Sequence, residues 1–348
     1  MPPIQPTQDV LSMILVMGVT GAGKSYFINK LADDDVAKTG GDLKSCTAES
    51  QRIPVNVGRS KGLLIDTPGF DDSSRTDSDI LTEISRILAA QYAAGVSLKG
   101  VIYLHRITDI RYQGSSVKTL NIFKKICGQL ALKNVLLVTT RWNEVDEAVG
   151  ASREKELRET FWAYMLSNGS TMTRFYGNRD SAVGIASQLM SKQNIVLELQ
   201  RELVDDGKTL QQTVAGAFVN DDISEMKAQY EKELKDLENL RQTLQENDRA
   251  MKRKIQQDWA REQQRLSTAR EDEDRLRRDI AAEVRQEIEQ KTKEKKSTGV
   301  WKKIPLLPSL LGIIELFVGI PPGSTNLLTS WFSDSGIVES VSDFFSNF

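Results

Sequence analysis

The chain has 348 residues, 39% of them hydrophobic and 27% charged, with a net charge of −2. That length suits one domain of about 200 residues with appendages, and the balanced charge excludes the broad basic field that nucleic acid attracts. Two cysteines, Cys46 and Cys127, exclude a disulfide framework and fit a reducing compartment, while a single histidine, His105, argues against a histidine-built metal site or triad.

Residues 1–10, with Pro2, Pro3 and Pro6, read as a disordered lead-in. They show neither the charged nor the apolar region of a signal peptide, and Pro2 stands where N-myristoylation needs glycine. Strand-like and helix-like stretches then alternate over residues 11–205. Leu11 to Met17 is a short apolar run suited to a buried strand, and Ser25 to Leu31 begins a helix. A polar, irregular stretch covers residues 33–50. Arg52 to Val57 alternates like an edge strand, which Pro54 supports, and Gly62 to Ile65 is a buried strand. Helical spacing over Asp77 to Ala94 precedes a strand at Val101 to Leu104, a helix from Val117 to Cys127 and a strand at Val135 to Val138. A helix at Arg153 to Leu166, a weak strand at Met172 to Phe175 and a helix at Val183 to Val204 complete the series. This order predicts an α/β fold with a mainly parallel sheet covered on both faces.

Residues 206–223 read as a polar connector. Over residues 224–296 about half the side chains are charged, of both signs, without Gly or Pro, which predicts long helices or a coiled coil. The apolar stripe through Leu237, Leu240, Leu244, Met251, Ile255 and Trp259 is irregular for a two-stranded coil. It favours helices that fold back on the first domain or dimerise, with a break near residues 245–248. Residues 297–348 form an apolar tail. Its run from Ile304 to Ile320 is 17 residues with two prolines and a glutamate, marginal for a spanning helix, and it sits beside Trp301, Lys302 and Lys303. Interfacial membrane contact and packing into a groove of the same chain are both open readings of the tail.

The segment Gly18-Val19-Thr20-Gly21-Ala22-Gly23-Lys24-Ser25 fits G-x-x-x-x-G-K-[ST], the phosphate-binding loop, in its expected place between a strand and a helix. Backbone N–H groups from Gly18 to Tyr26 can face a phosphate, Lys24 can reach the β- and γ-phosphates, and Ser25 can ligate Mg²⁺. Leu63 to Phe70 then runs L-L-I-D-T-P-G-F, a strand ending in D-x-x-G. Asp66 is placed to hold Mg²⁺ through water, the Gly69 N–H to sense the γ-phosphate, and Thr47, in Ser45-Cys46-Thr47, to close over it. For base recognition there is no N-K-x-D; the corresponding place reads Thr139-Thr140-Arg141-Trp142-Asn143-Glu144-Val145-Asp146. Arg141 or Trp142 could stack on a base, and Asn143, Glu144 or Asp146 could bond its edge. Ser181-Ala182 stands where a backbone loop meets the base in GTPases.

These motifs, with Leu104-His105-Arg106-Ile107-Thr108 and the T-T-R-W segment, resemble the immunity-associated (IMAP) GTPases of the septin and Toc branch, closest to their fungal single-G-domain members. The resemblance covers about residues 10–205. It implies a Ras-like P-loop G domain, binding of GTP or GDP with Mg²⁺, dimerisation across the nucleotide face, and a role for Thr140, Arg141 and Trp142 around the base. The residue after D-x-x-G is Phe70, where Ras-like enzymes use a water-orienting glutamine. Slow intrinsic hydrolysis is therefore expected unless another group contributes. Arg106 matches the arginine that IMAP proteins direct at a partner's site; an ion pair with Asp109 is the competing reading. The expected function is a GTP-binding switch with dimer-activated hydrolysis, cytoplasmic and without nucleic acid, with membrane contact through the tail and its internal packing both open. A GTP-dependent scaffold with negligible turnover is the alternative.

Overall fold

The computed structural model describes residues 12–34, 50–58, 60–70, 75–110, 112, 114–243 and 249–297. The expectations for residues 1–10, for Thr47 and its neighbours, for a break near 245–248 and for nearly all of the tail (298–348) lie outside the described residues.

The sheet is built around β1 (Ser12–Gly18), buried at every position. Its side chains alternate between two cores, as a two-residue period requires. Met13, Leu15 and Met17 face one, and Ile14 and Val16 the other. After α1 (Lys24–Ala32) come β2 (Gln51–Val57) and β3 (Ser60–Asp66), which pair antiparallel. β2 is the edge strand, where Pro54 is tolerated. Then follow α2 (Asp77–Ala93), β4 (Ser97–Arg106), α3 (Ser115–Cys127), β5 (Val135–Thr140), α4 (Glu147–Glu156), α5 (Ala163–Ser167), β6 (Thr171–Arg174) and α6 (Arg179–Met190). The six strands lie in the order β2-β3-β1-β4-β5-β6, and all pairs except β2–β3 are parallel. The mainly parallel α/β sheet is what the strand–helix alternation predicts.

Two helical expectations change. The helix expected at Arg153 to Leu166 starts earlier, because the Asp146 carboxylate accepts from the Ala148 and Val149 N–H groups and caps α4. It is then interrupted by a π-turn at Leu157–Phe161, closed by Trp162 N–H to Leu157 O at 2.7 Å. The extra residue lets the fully buried Trp162 and Met165 both reach the core. The helix expected over Val183 to Val204 is two pieces. α6 begins under an Asn178 cap and ends at Met190; Ile195 then donates its N–H to Leu98 O before α7 (Glu198–Gln200).

The expected connector at 206–223 is largely structured. Thr213 accepts from the Gly216 N–H, and α8 (Val214–Thr243) starts there. Gly216 is needed at this turn, since a Cβ would stand 1.8 Å from Leu210 O. Ala215, Val219 and Ile223 are buried. α8 runs antiparallel to α9 (Arg249–Leu276), with Lys227 paired to Glu273 and Arg270 to Glu231. α10 (Ile280–Ser297) returns along α2, where Arg86 binds Glu283 and Glu287. Leu276, Ile280 and Val284 join the core shared with α2; full burial of each is worth about 1.5–3 kcal/mol. The charged helices thus fold back on the first domain. Among the described residues no helix is long and apolar enough to cross a membrane.

Candidate functional site

Five strands deliver Gly18, Asp66, Arg106, Thr140 and Arg174 to the carboxyl edge of the sheet. β1 lies between β3 and β4, where connections leave in opposite directions and open a crevice for ligands. The phosphate loop occupies that crevice. Gly18 has φ +147°, and a Cβ on it would stand 2.3 Å from Leu104 O, so the loop can leave β1 only through glycine. Gly23, at φ +89°, turns the chain into α1. The Lys24 ammonium is buried and donates to the carbonyls of Gly18, at 3.2 Å, and Val19, at 3.1 Å. Ser25 Oγ donates to Asp66 Oδ2 at 2.7 Å.

A hydroxyl and a carboxylate so close are hard oxygen donors of the kind Mg²⁺ accepts. Among the described residues no three His, Cys, Asp or Glu side chains converge. An ion here would therefore draw its remaining ligands from phosphate oxygens and water, as Mg²⁺ commonly does.

Thr20 joins the loop to the D-x-x-G segment. Its N–H donates to Phe70 O at 3.1 Å and its hydroxyl to Gly69 O at 3.3 Å. A Cβ on Gly69 would stand 2.5 Å from Thr20 N. Phe70 is 1% exposed, so it is a core side chain. Ala22 is fully buried, and its carbonyl accepts from Thr140 Oγ1 at 2.9 Å. Thr140, 2% exposed, therefore holds the loop in shape rather than facing a base.

The base-reading expectations are narrowed. Trp142 is buried, its indole N–H donates to Thr139 Oγ1 at 3.0 Å, and the Arg174 guanidinium lies 3.8 Å over its ring. Arg174 is held there by Glu147 and Glu154. Trp142 has no face left to stack on a base. Asp146 is committed to the α4 cap. Arg141 remains exposed, in the left-handed region at φ 62°, with Nη1 3.0 Å from Glu144 Oε2 and Nη2 3.4 Å from Gly21 O. Asn143 and Glu144 remain exposed beside it. Ser181 and Ala182 are inside the first turn of α6, and their N–H groups already donate to Asn178. The segment that meets α1 is instead Tyr176–Asn178, since Tyr26 donates its hydroxyl to Gly177 O at 3.0 Å. The sequence signal for it was Gly177-Asn178, a turn followed by a capping residue.

Arg106 leans over its own loop: Nη1 is 3.0 Å from where a Gly21 Cβ would stand. Its Nε is 2.9 Å from Asp109 Oδ1, an ion pair whose N–H is misaligned for a hydrogen bond. His105 is buried between Tyr112 and Trp162. Burial and then the Arg106 charge lower its pKa to about 3, so the imidazole is neutral. A cavity of about 20 Å³ beside it is lined by Asp109, Tyr112, Arg153 and Phe161 among others.

The AIG1 family model matches residues 12–180. GTP-binding protein A of Dictyostelium discoideum is 30% identical over 134 residues, which are 38% of this chain and 28% of that protein. Translocase of chloroplast 90 of Arabidopsis thaliana is 31% identical over 139 residues, 39% of this chain and 17% of that protein. The matched regions thus span less than a third of these relatives' lengths. The crystal structure of Toc33 from Arabidopsis thaliana in complex with Mg²⁺ and GMPPNP superposes with a TM-score of 0.41 and 18% identity, covering 54% of this chain and 89% of that one. The stretch that the AIG1 family model matches, residues 12–180, is the one that carries the phosphate loop, Asp66, Gly69, Arg106 and Thr140.

Proposed function

We propose that the chain is a GTP-binding switch that hydrolyses GTP slowly alone and faster as a dimer formed across its nucleotide face, with Mg²⁺ as cofactor. The observation that carries this reading is the Ser25 hydroxyl 2.7 Å from the Asp66 carboxylate, next to the Lys24 ammonium at the loop mouth. The Dictyostelium relative's name, GTP-binding protein A, points the same way for the base.

Loop N–H groups and Lys24 hold the phosphates, and the N-terminus of α1 adds favourable field. Mg²⁺, when bound, neutralises charge developing between the β- and γ-phosphates. Ser25 and Asp66 are the residues that hold it in this reading. Thr47, outside the described residues, joins them in the triphosphate state. The Gly69 N–H senses the γ-phosphate, and its loss frees the Gly69–Phe70 segment. Base discrimination falls to Arg141, Asn143 and Glu144. Phe70 cannot orient water, so the barrier is lowered by Arg106 from a second copy, which would neutralise charge on the γ-phosphate. Cytoplasmic location, with peripheral membrane contact through residues 297–348, belongs to the same reading and is supported by the sequence alone.

The buried Phe70 also favours a second reading, a GTP-dependent structural or membrane-associated scaffold with negligible turnover. Phosphate release per mole of protein, followed against protein concentration, separates the two. Specific activity that rises with concentration is the expected result; a flat line near zero selects the scaffold.

A further inference from the structure

The turn that leaves β4 is held by three hydrogen bonds. The Asp109 N–H donates to Arg106 O at 3.3 Å, the Ile107 N–H to Thr140 O at 3.0 Å, and Arg153 Nη1 to Ile107 O at 2.9 Å. The Ile107 side chain is buried. The turn therefore presents the Asp109 carboxylate at a fixed place beside the end of β4. Asp109 Oδ1 lies 2.9 Å from Arg106 Nε, and Oδ2 lies 4.0 Å from Nδ1 of the buried His105. Because that imidazole is neutral, it does not compete with Arg106 for the carboxylate charge. Arg106 is the more exposed partner, at 34% against 18% for Asp109. With Nε at the carboxylate, Nη1 stands 3.0 Å from where a Gly21 Cβ would be, over the phosphate loop of the same chain.

We propose that Asp109 is a positioning residue that parks Arg106 on its own phosphate loop, so that the arginine reaches a second copy after this ion pair opens. The inference rests on the reading in which Arg106 acts across a dimer. A guanidinium is a rigid planar fork, so holding Nε also sets where the two Nη groups lie. In the parked state Nη1 lies at Gly21 of the same chain. Gly21 supplies the room, since any side chain there would meet the guanidinium. The pair is partly open to water and its N–H is misaligned for a hydrogen bond. Such pairs are weak, so this one restrains the side chain without trapping it. The fixed turn is the post, and the long arginine side chain is the part that moves. A two-fold dimer opens one such pair in each copy, so a weak pair counts twice in the dimer equilibrium. Asp109 thereby sets the protein concentration at which the arginine becomes available.

The test uses the full chain with Mg²⁺. Dimerisation is measured by analytical ultracentrifugation with a non-hydrolysable GTP analogue, and turnover by phosphate release with GTP. Asp109→Asn keeps the shape and removes the charge, and Asp109→Ser removes it in a second way should the first variant fold poorly. Either should lower the dimer dissociation constant by about three- to tenfold, the size expected for two weak pairs. Turnover at saturating protein should stay within about twofold of wild type. In an Arg106→Ala background the same substitutions should leave the dissociation constant unchanged, because Asp109 then has no arginine to hold. An unchanged constant in both charge-free variants overturns the proposal, and so does a shift that persists without Arg106. Lowered turnover at saturating protein also overturns it, since Asp109 would then aid the arginine in the partner's site. Wild-type turnover by Arg106→Ala instead overturns the reading on which the inference rests. A wild-type chain that stays monomeric with the analogue overturns both.

Discussion

Thr140 Oγ1 donates to the carbonyl of Ala22 across 2.9 Å, so the end of β5 pins the middle of the phosphate loop. The bond is fully buried and joins residues 118 apart in the chain. Thr140→Val keeps the shape and removes the donor. A buried carbonyl deprived of a donor costs about 1–3 kcal/mol. Urea denaturation should show a loss of that size, and GTP-analogue affinity should fall about tenfold by fluorescence titration, since part of the loss is spent on loop order. Thr140→Ser should behave nearly as wild type.

Gly69→Ala tests the contact between loop and D-x-x-G segment. The new methyl would meet Thr20 N at 2.5 Å and Thr20 Oγ1 at 2.6 Å, both parts of the loop itself. Relief requires the Thr20–Phe70 bond to open. Binding of the triphosphate analogue should weaken by about tenfold or more, while GDP, which makes no γ-phosphate contact, is affected less. Paired titrations with the two nucleotides check this.

His105 predicts an acid dependence of stability. Its folded pKa is lowered to about 3 by burial and by Arg106, against an ordinary value of 6.5. Between those values the unfolded chain binds a proton that the folded chain refuses, so stability rises with pH there and is lost as pH falls from 6.5 towards 3. The slope approaches about 1.4 kcal/mol per pH unit, or about 2 kcal/mol between pH 7 and pH 5. The chain has no other histidine. Denaturation midpoints of His105→Gln should therefore be flatter over pH 5–7 than those of wild type.

Much of this architecture is legible in the sequence, and the exceptions have physical causes. β1 and the phosphate loop are legible because buried strands are apolar and the loop backbone admits only glycine at Gly18. The role of Trp142 is not, because Arg174, Glu147 and Glu154 that enclose it come from other elements. The same holds for Thr140, whose partner Ala22 is set by sheet pairing. The π-turn before Trp162 follows from a packing demand on two core side chains, which helical periodicity cannot register. The start of α8 within the expected connector follows from Thr213 and Gly216, a cap and a close approach that resemble loop composition.

Arg106 in this structure pairs with Asp109 and lies against its own loop. Action on a partner's nucleotide requires it to leave that pair. Arg106→Ala should bind GTP normally and lose turnover on the order of 10³-fold. Mixed with Lys24→Ala, which lacks the phosphate-binding lysine but retains Arg106, it should regain activity in the heterodimer. Wild-type turnover by Arg106→Ala alone would leave Arg106 as a structural ion-pair residue.

The central claim is that the loop at residues 18–25 binds a guanine nucleotide despite the missing N-K-x-D. Competition for labelled GDP measures it directly, with wild type and Lys24→Ala side by side. GTP should displace the label from wild type, excess ATP should not, and Lys24→Ala should take up no label. Equal displacement by ATP and GTP, or undiminished binding by Lys24→Ala, would contradict the account.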